Sequence, residues 1–181
     1  MARVNHVDHF EDQFLGEGHE PLGLPFDEEG GFFHPEEVHD GDHLVDIGPA
    51  VVRRSGTNMS CFAWGLMTHF CVEAALQLDA EGVSVEVVDL RTLAPLDRET
   101  ILGSVRKTGK AMVVHEDNLT GGFGAEVSAI ISEHAFEDLD GPVVRVAAPD
   151  IPAMPFNGPQ EEFFMPSPQK IADAMRKLAA Y

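Results

Sequence analysis

The chain has 181 residues, of which 44% are apolar and 24% are charged, so it is long and apolar enough for one domain with a core of its own. Its 31 acidic residues against 12 basic residues give a net charge of −19, which argues against nucleic acid or an anionic membrane surface as the main partner. No apolar run reaches the ~18 residues of a membrane span, and the start of the chain is polar, so we expect a soluble protein of the cytoplasm.

Residues 1–43 differ in composition from the rest of the chain. They hold twelve acidic residues, one basic residue and six of the nine histidines, with no sustained hydrophobic period. This composition predicts an extended or disordered acidic arm. His39 and His43 have the spacing of a metal-binding pair, but Gly41 between them disfavours the helix that would place them on one face. We therefore expect a solvated polar tail, with metal binding by this pair as the alternative.

From residue 44 onward, strand and helix patterns alternate. Short apolar runs predict five strands, at residues 50–54, 59–64, 83–89, 111–115 and 142–147. Helical spacing predicts helices over residues 66–81, between Asp97 and Gly109, after residues 121–124, and from Ser167 or Pro168 onward. This order predicts a three-layer α/β/α domain over residues 44–181, with a mostly parallel sheet.

Three groups of polar residues and glycines follow predicted strands, at the sheet edge where ligands gather in open α/β folds. They are Asp89 with Arg91, His115 with Glu116, and Gly121, Gly122 and Gly124 at the start of a helix. Adjacent strand residues point to opposite sides, so His115 and Glu116 are not expected to share one proton transfer. His115 remains open as a lone base or as a structural or interface histidine. The glycines indicate either a tight turn or a helix start that receives an anion.

Several motifs of self-contained enzymes are missing from the sequence. It contains no GxSxG, HExxH or CxxC pattern, and the glycines lack the spacing of a phosphate loop. Cys61 and Cys71 lie in apolar runs without a pairing pattern, which predicts packed, reduced thiols. The residues alone therefore describe an α/β domain without a convincing active site.

Three sequence blocks stand in a specific order, namely DLRTLAPLD at 89–97, VVHE at 113–116 and TGGFGAE at 120–126. Supporting blocks are FEDLDGPV at 136–143 and APD at 148–150. In this order they resemble the carboxyl-terminal domain of the transketolase-like β subunits. These subunits belong to the thiamine-diphosphate-dependent first component of 2-oxo acid dehydrogenases, of the pyruvate, branched-chain and acetoin types. The resemblance covers roughly residues 41–181.

The resemblance implies a five-stranded sheet whose first strand is antiparallel, in a domain that dimerises and is not catalytic by itself. It also implies that thiamine diphosphate and Mg²⁺ are held by the α subunit and by an amino-terminal domain, so no catalytic, cofactor or metal residue is carried over to this chain. The family's basic subunit-binding domain, which belongs to the acyltransferase component, docks on acidic groups and a chain end. Here Asp140 and Tyr181 match those positions.

Two alternatives remain open at this stage. The chain is either one domain of a larger β subunit or a stand-alone relative in which the acidic arm replaces the missing domain. A second function, of a different class, is a free-standing α/β module that binds a small anion at residues 121–124.

Overall fold

The computed structural model describes residues 46–181. Its strands are Val51–Arg54 (β1), Met59–Ala63 (β2), Val85–Asp89 (β3), Ala111–Asn118 (β4) and Val144–Ala148 (β5). They form one sheet in the order β1-β3-β2-β4-β5. β1 pairs with β3 antiparallel, and the other neighbours pair in parallel. The predicted mixed sheet with an antiparallel first strand is confirmed.

Helices cover both faces of this sheet. In the described residues they are Leu66–Asp79 (α1), Arg98–Thr108 (α2), Gly124–His134 (α3), Gly158–Phe164 (α4) and Pro168–Ala179 (α5), with a 3-10 turn at Phe136–Asp138. α1 packs on α5, and α2 packs on α3. Right-handed connections between parallel strands place these two pairs on opposite faces, which gives the predicted three layers.

The two central strands are buried along their whole length, because helices lie on both sides of them. Every residue of β2 and β3 is buried, as are the first five residues of β4. This explains why these strands appear in the sequence as near-continuous apolar runs. Cys61 and Cys71 are both buried and unpaired, as predicted, and burial beside the Cys61 thiol raises the pKa of Cys71.

Local signals explain where α2 begins and ends. The Asp97 carboxylate accepts a hydrogen bond from the Thr100 N–H at 3.0 Å, which satisfies one of the unpaired donors of the first turn. At the other end Gly109 adopts a left-handed φ of 71° and donates its N–H to the Val105 carbonyl. Both predicted helix ends are therefore confirmed.

Several predicted element bounds were wrong by one to three residues; β3 begins at Val85 instead of residue 83, and β5 covers Val144–Ala148 instead of residues 142–147. Two other bounds have a cause that the hydrogen bonds show. α1 ends at Asp79 instead of residue 81, because the Gly82 N–H turns back onto the Asp79 carbonyl and closes the helix. β4 continues three residues beyond His115, since Asn118 pairs with Ala148 after an irregularity in the register. Neither feature has a hydrophobic period that the sequence would reveal.

Two further differences concern the last third of the chain. The sequence did not predict α4, a seven-residue helix that is too short to show a hydrophobic period and is capped by the Asn157 side chain. In α5 the predicted inward residues Ile171, Met175 and Leu178 are buried, but Ala172 is buried where Ala174 was expected.

The acidic arm predicted for residues 1–43, including His39 and His43, lies outside the described residues. Among residues 46–181, no helix combines the length and the apolar character needed to cross a membrane.

Candidate functional site

The predicted site residues lie at two opposite edges of the sheet, one formed by the carboxyl ends of the parallel strands and the other by their amino ends. Asp89 ends β3, and His115 and Glu116 lie near the carboxyl end of β4, with Gly121, Gly122 and Gly124 in the turn that follows. Asp140 lies at the other edge, where its N–H donates to the carbonyl of Gly109, just before β4, at 2.7 Å. The structure therefore places these residues on two separate surfaces.

The crevice where ligands bind in such folds is already filled by side chains. The chain leaves β2 towards one side of the sheet and leaves β4 towards the other, so the crevice lies between the carboxyl ends of these two strands. Trp64 stacks there on His115, with ring centroids 5.4 Å apart and planes 4° apart. Phe123 meets Trp64 edge-on at 6.1 Å. Three aromatic rings therefore occupy the crevice between the carboxyl ends of these strands.

The glycine turn closes over the edge of the His115 ring. A Cβ atom on Gly122 would overlap the Asn118 carbonyl oxygen and lie 2.6 Å from Cε1 of His115, and one on Gly124 would overlap the Cδ2 and Nε2 atoms of His115. These contacts are well inside the 3.5–4.0 Å at which carbon atoms normally pack. The glycines are therefore required for close packing on His115, which supports the tight-turn interpretation.

His115 is fully buried, whereas the neighbouring Glu116 is exposed, as the alternation of a strand predicts. Burial lowers the pKa of the His115 imidazole, and this effect outweighs the attraction of the nearby Asp117 carboxylate. Within residues 46–181 neither ring nitrogen makes a hydrogen bond of good geometry, although the Asp117 backbone lies close by. A neutral and enclosed imidazole does not fit the role of an accessible general base.

The glycine turn is held by residues that the sequence did not single out as site residues. The Asp150 carboxylate accepts hydrogen bonds from the N–H and the hydroxyl of Thr120, at 2.9 and 2.6 Å, and these bonds lower the pKa of Asp150. Arg145 donates to the Leu119 carbonyl at 2.8 Å. The carboxylates of Asp150 and of Glu126, in the first turn of α3, repel a free anion at this turn, whereas the nearby Arg145 charge attracts one.

A groove of about 650 Å³ lies beside this turn. One wall comes from the DLRTLAPLD segment through Leu93 and Leu96, and the other comes from Phe123 and Ile130. Arg98 and Glu126 carry opposite charges on the two walls, and both are exposed. The groove thus joins two of the three blocks that carry the family resemblance.

Asp140 and Tyr181 are brought together at the opposite edge. A Cβ atom on Gly141 would lie 3.2 Å from Cβ of Tyr181, so the Asp140–Gly141 turn packs directly on the last residue. Tyr181 is 72% exposed, and Asp140 is exposed as well. An acidic group and an aromatic ring therefore share this surface.

No three side chains of the metal-binding types cluster anywhere in residues 46–181. The glycine turn before α3 carries both the Asp150 carboxylate and the Arg145 guanidinium group.

Comparison with known proteins identifies related sequences and structures. The family model "Transketolase, C-terminal domain" matches residues 48–171. The 2-oxoisovalerate dehydrogenase subunit beta of Bacillus subtilis is 47% identical over 145 residues, which are 80% of this chain and 44% of the relative. The pyruvate dehydrogenase E1 component subunit beta of the same organism is 40% identical, over 81% of this chain and 44% of the relative.

A solved structure described as a split-gene transketolase, inactive beta4 tetramer, superposes with a TM-score of 0.66 at 31% identity and covers 77% of this chain and 44% of that chain. The chain thus spans less than half the length of the relatives it matches.

Proposed function

The chain belongs to the transketolase C-terminal domain family, and we propose that it is the assembly and docking domain of a thiamine-dependent 2-oxo acid dehydrogenase of the pyruvate or branched-chain type. In this proposal the chain is part of an oxidoreductase but does not turn over substrate by itself. Thiamine diphosphate and Mg²⁺ are held by the remaining domains or the α subunit.

The filled crevice carries this proposal. Trp64 and His115 occupy the place where an open α/β sheet would bind a small substrate, and the glycine turn closes over them. Two accessible surfaces are the groove beside the turn and the edge with Asp140 and Tyr181. Both suit protein contacts better than chemistry on a small molecule.

The groove is the proposed contact between two copies of the chain. Its apolar walls favour burial, and its two opposite charges make it self-complementary, since a two-fold axis would bring Arg98 of one copy to Glu126 of the other. A related structure described as a beta4 tetramer is consistent with assembly of such chains without a different subunit.

A charge exchange tests this contact. Arg98→Glu and Glu126→Arg should each shift the monomer–dimer equilibrium towards the monomer, and the double variant should restore the dimer. Sedimentation velocity over a concentration series measures the equilibrium, with thermal melting to show that each variant is folded. If the parent stays monomeric at every concentration, or if the double variant is no better than the single ones, the groove is not the contact.

The edge with Asp140 and Tyr181 is the proposed docking surface for the basic subunit-binding domain of the acyltransferase component. Carboxylates that face lysine or arginine mainly increase the association rate and make binding weaker in salt. The neighbourhood of Asp140 and Tyr181 supports this role, because a single small domain could touch both.

A further inference from the structure

Two backbone irregularities flank the carboxyl end of β3. In β1 the register shifts between Val52, opposite Val88, and Arg54, opposite Val87, so that Arg53 is the extra residue of a β-bulge. On the other side Arg91 adopts a left-handed φ of 53°, which residues other than glycine rarely do. Bulges and left-handed residues of this kind redirect side chains and concentrate at functional sites.

Both irregularities direct an arginine to the same carboxylate. Arg53 donates from Nε and Nη2 to Oδ2 of Asp89, at 3.1 and 2.9 Å. Nε of Arg91 lies 3.9 Å from that oxygen, and its backbone N–H donates to Oδ1 at 3.1 Å. The Asp89 side chain is 11% exposed, whereas those of Arg53 and Arg91 are 38% and 27% exposed. The acid is therefore inside, and the two cations face outward.

His69 of α1 lies in the electric field of this group. Burial lowers the pKa of His69, the Arg53 charge lowers it further, and the Asp89 charge opposes both. Two guanidinium groups around one carboxylate leave one net positive charge at this edge. Such a charge is unusual on a chain with a net charge of −19, and it matches a singly charged carboxylate better than a doubly charged phosphate.

We propose that Arg53 and Arg91 bind a side-chain carboxylate from an acidic segment of a partner protein, with Asp89 holding both guanidinium groups in position. The proposal does not depend on the dehydrogenase role, because it uses neither the groove nor the edge with Asp140. Arginine suits this task because its planar group pairs with two carboxylates at once, one from inside and one from outside.

The His69 ring provides a direct readout by NMR. We expect a short peptide with adjacent glutamates to shift the His69 ring signals at low salt and to raise the pKa of His69, since a nearby negative charge favours the protonated ring. The same peptide with glutamines should have no effect, and inorganic phosphate should bind more weakly. These comparisons need no variant of the protein.

Variants then locate the site. Arg91→Gln and Arg53→Gln should each weaken peptide binding about fivefold, as the loss of one exposed ion pair predicts. Arg176→Gln is the matched control, because Arg176 also pairs with an acid, the exposed Glu81, but lies on a regular helix. Arg53→Lys keeps the charge and loses the planar geometry, so it should bind with intermediate affinity.

Three results would overturn the proposal. They are no shift of His69 with the glutamate peptide, phosphate binding in preference to the peptide, and equal peptide binding by Arg91→Gln, Arg53→Gln and the control. If Arg53→Gln fails to fold, the peptide comparison on the unmodified chain and the affinity of Arg53→Lys still decide whether this site binds a carboxylate.

Discussion

Gly124→Ala tests whether the glycine turn is built around His115. The new methyl group would overlap two atoms of the buried imidazole, and the ring cannot move away because Trp64 stacks on its face. Overpacking of this kind destabilises a protein by about 1–3 kcal/mol. The better helix propensity of alanine offsets less than about 1 kcal/mol of this loss. We expect a net loss of about 1–2 kcal/mol, seen as a decrease in Tm of roughly 3–8 °C.

Gly103→Ala provides the matched control. Gly103 is exposed within α2, and a Cβ atom there has nothing within 4 Å, so the same change should stabilise the protein by about 0.5–1 kcal/mol. Removing the imidazole by His115→Ala should remove most of the cost of Gly124→Ala, which gives a coupling of about 1 kcal/mol or more. Equal effects of Gly124→Ala with and without His115 would refute the packing argument, as would a gain like that of Gly103→Ala.

Three further predictions concern stability, pH and catalysis. Asp97→Ala should lower the free energy of unfolding, measured in urea, by about 1–2 kcal/mol. The loss should exceed that of Ser167→Ala, since Ser167 only caps a helix, whereas Asp97 caps α2 and also accepts a hydrogen bond from the N–H of Ala50. Folding favours neutral His115, so its contribution is complete above its ordinary pKa of 6.5 and is lost as pH falls below it. Between about pH 7.5 and about pH 5.5 the free energy of unfolding should therefore decrease less for His115→Gln than for the parent. Supplied with thiamine diphosphate, Mg²⁺ and an artificial electron acceptor, the purified chain should not oxidise pyruvate or a branched-chain 2-oxo acid, and sustained turnover would contradict this.

The alternation of strands and helices could be predicted because it depends on local patterns. Asp97 and Gly109 bracket α2 through contacts with residues three or four positions away, which the sequence displays directly. The antiparallel direction of β1 came from the family resemblance and not from its four residues. A short helix such as α4 depends on a cap and on tertiary contacts, so its seven residues carry too little pattern to identify.

The candidate sites were less predictable, because they depend on contacts between distant residues. Thr120 and Asp150 are 30 positions apart, and nothing in either segment indicates the other. His115 was recognised as a residue of interest, but only the structure shows that Trp64 and two glycines enclose it. The bulge that directs Arg53 to Asp89 arises from strand pairing, which hydrophobic periodicity does not encode.

Binding of the cognate acyltransferase subunit-binding domain tests the central claim most directly. Isothermal titration calorimetry at low salt should show saturable binding to the chain, which weakens as salt is added. Asp140→Asn and deletion of Tyr181 should each weaken it, whereas Glu162→Gln, an equal loss of charge on the exposed surface of α4, should not. The claim is contradicted if the domain does not bind, or if all three variants bind as tightly as the parent.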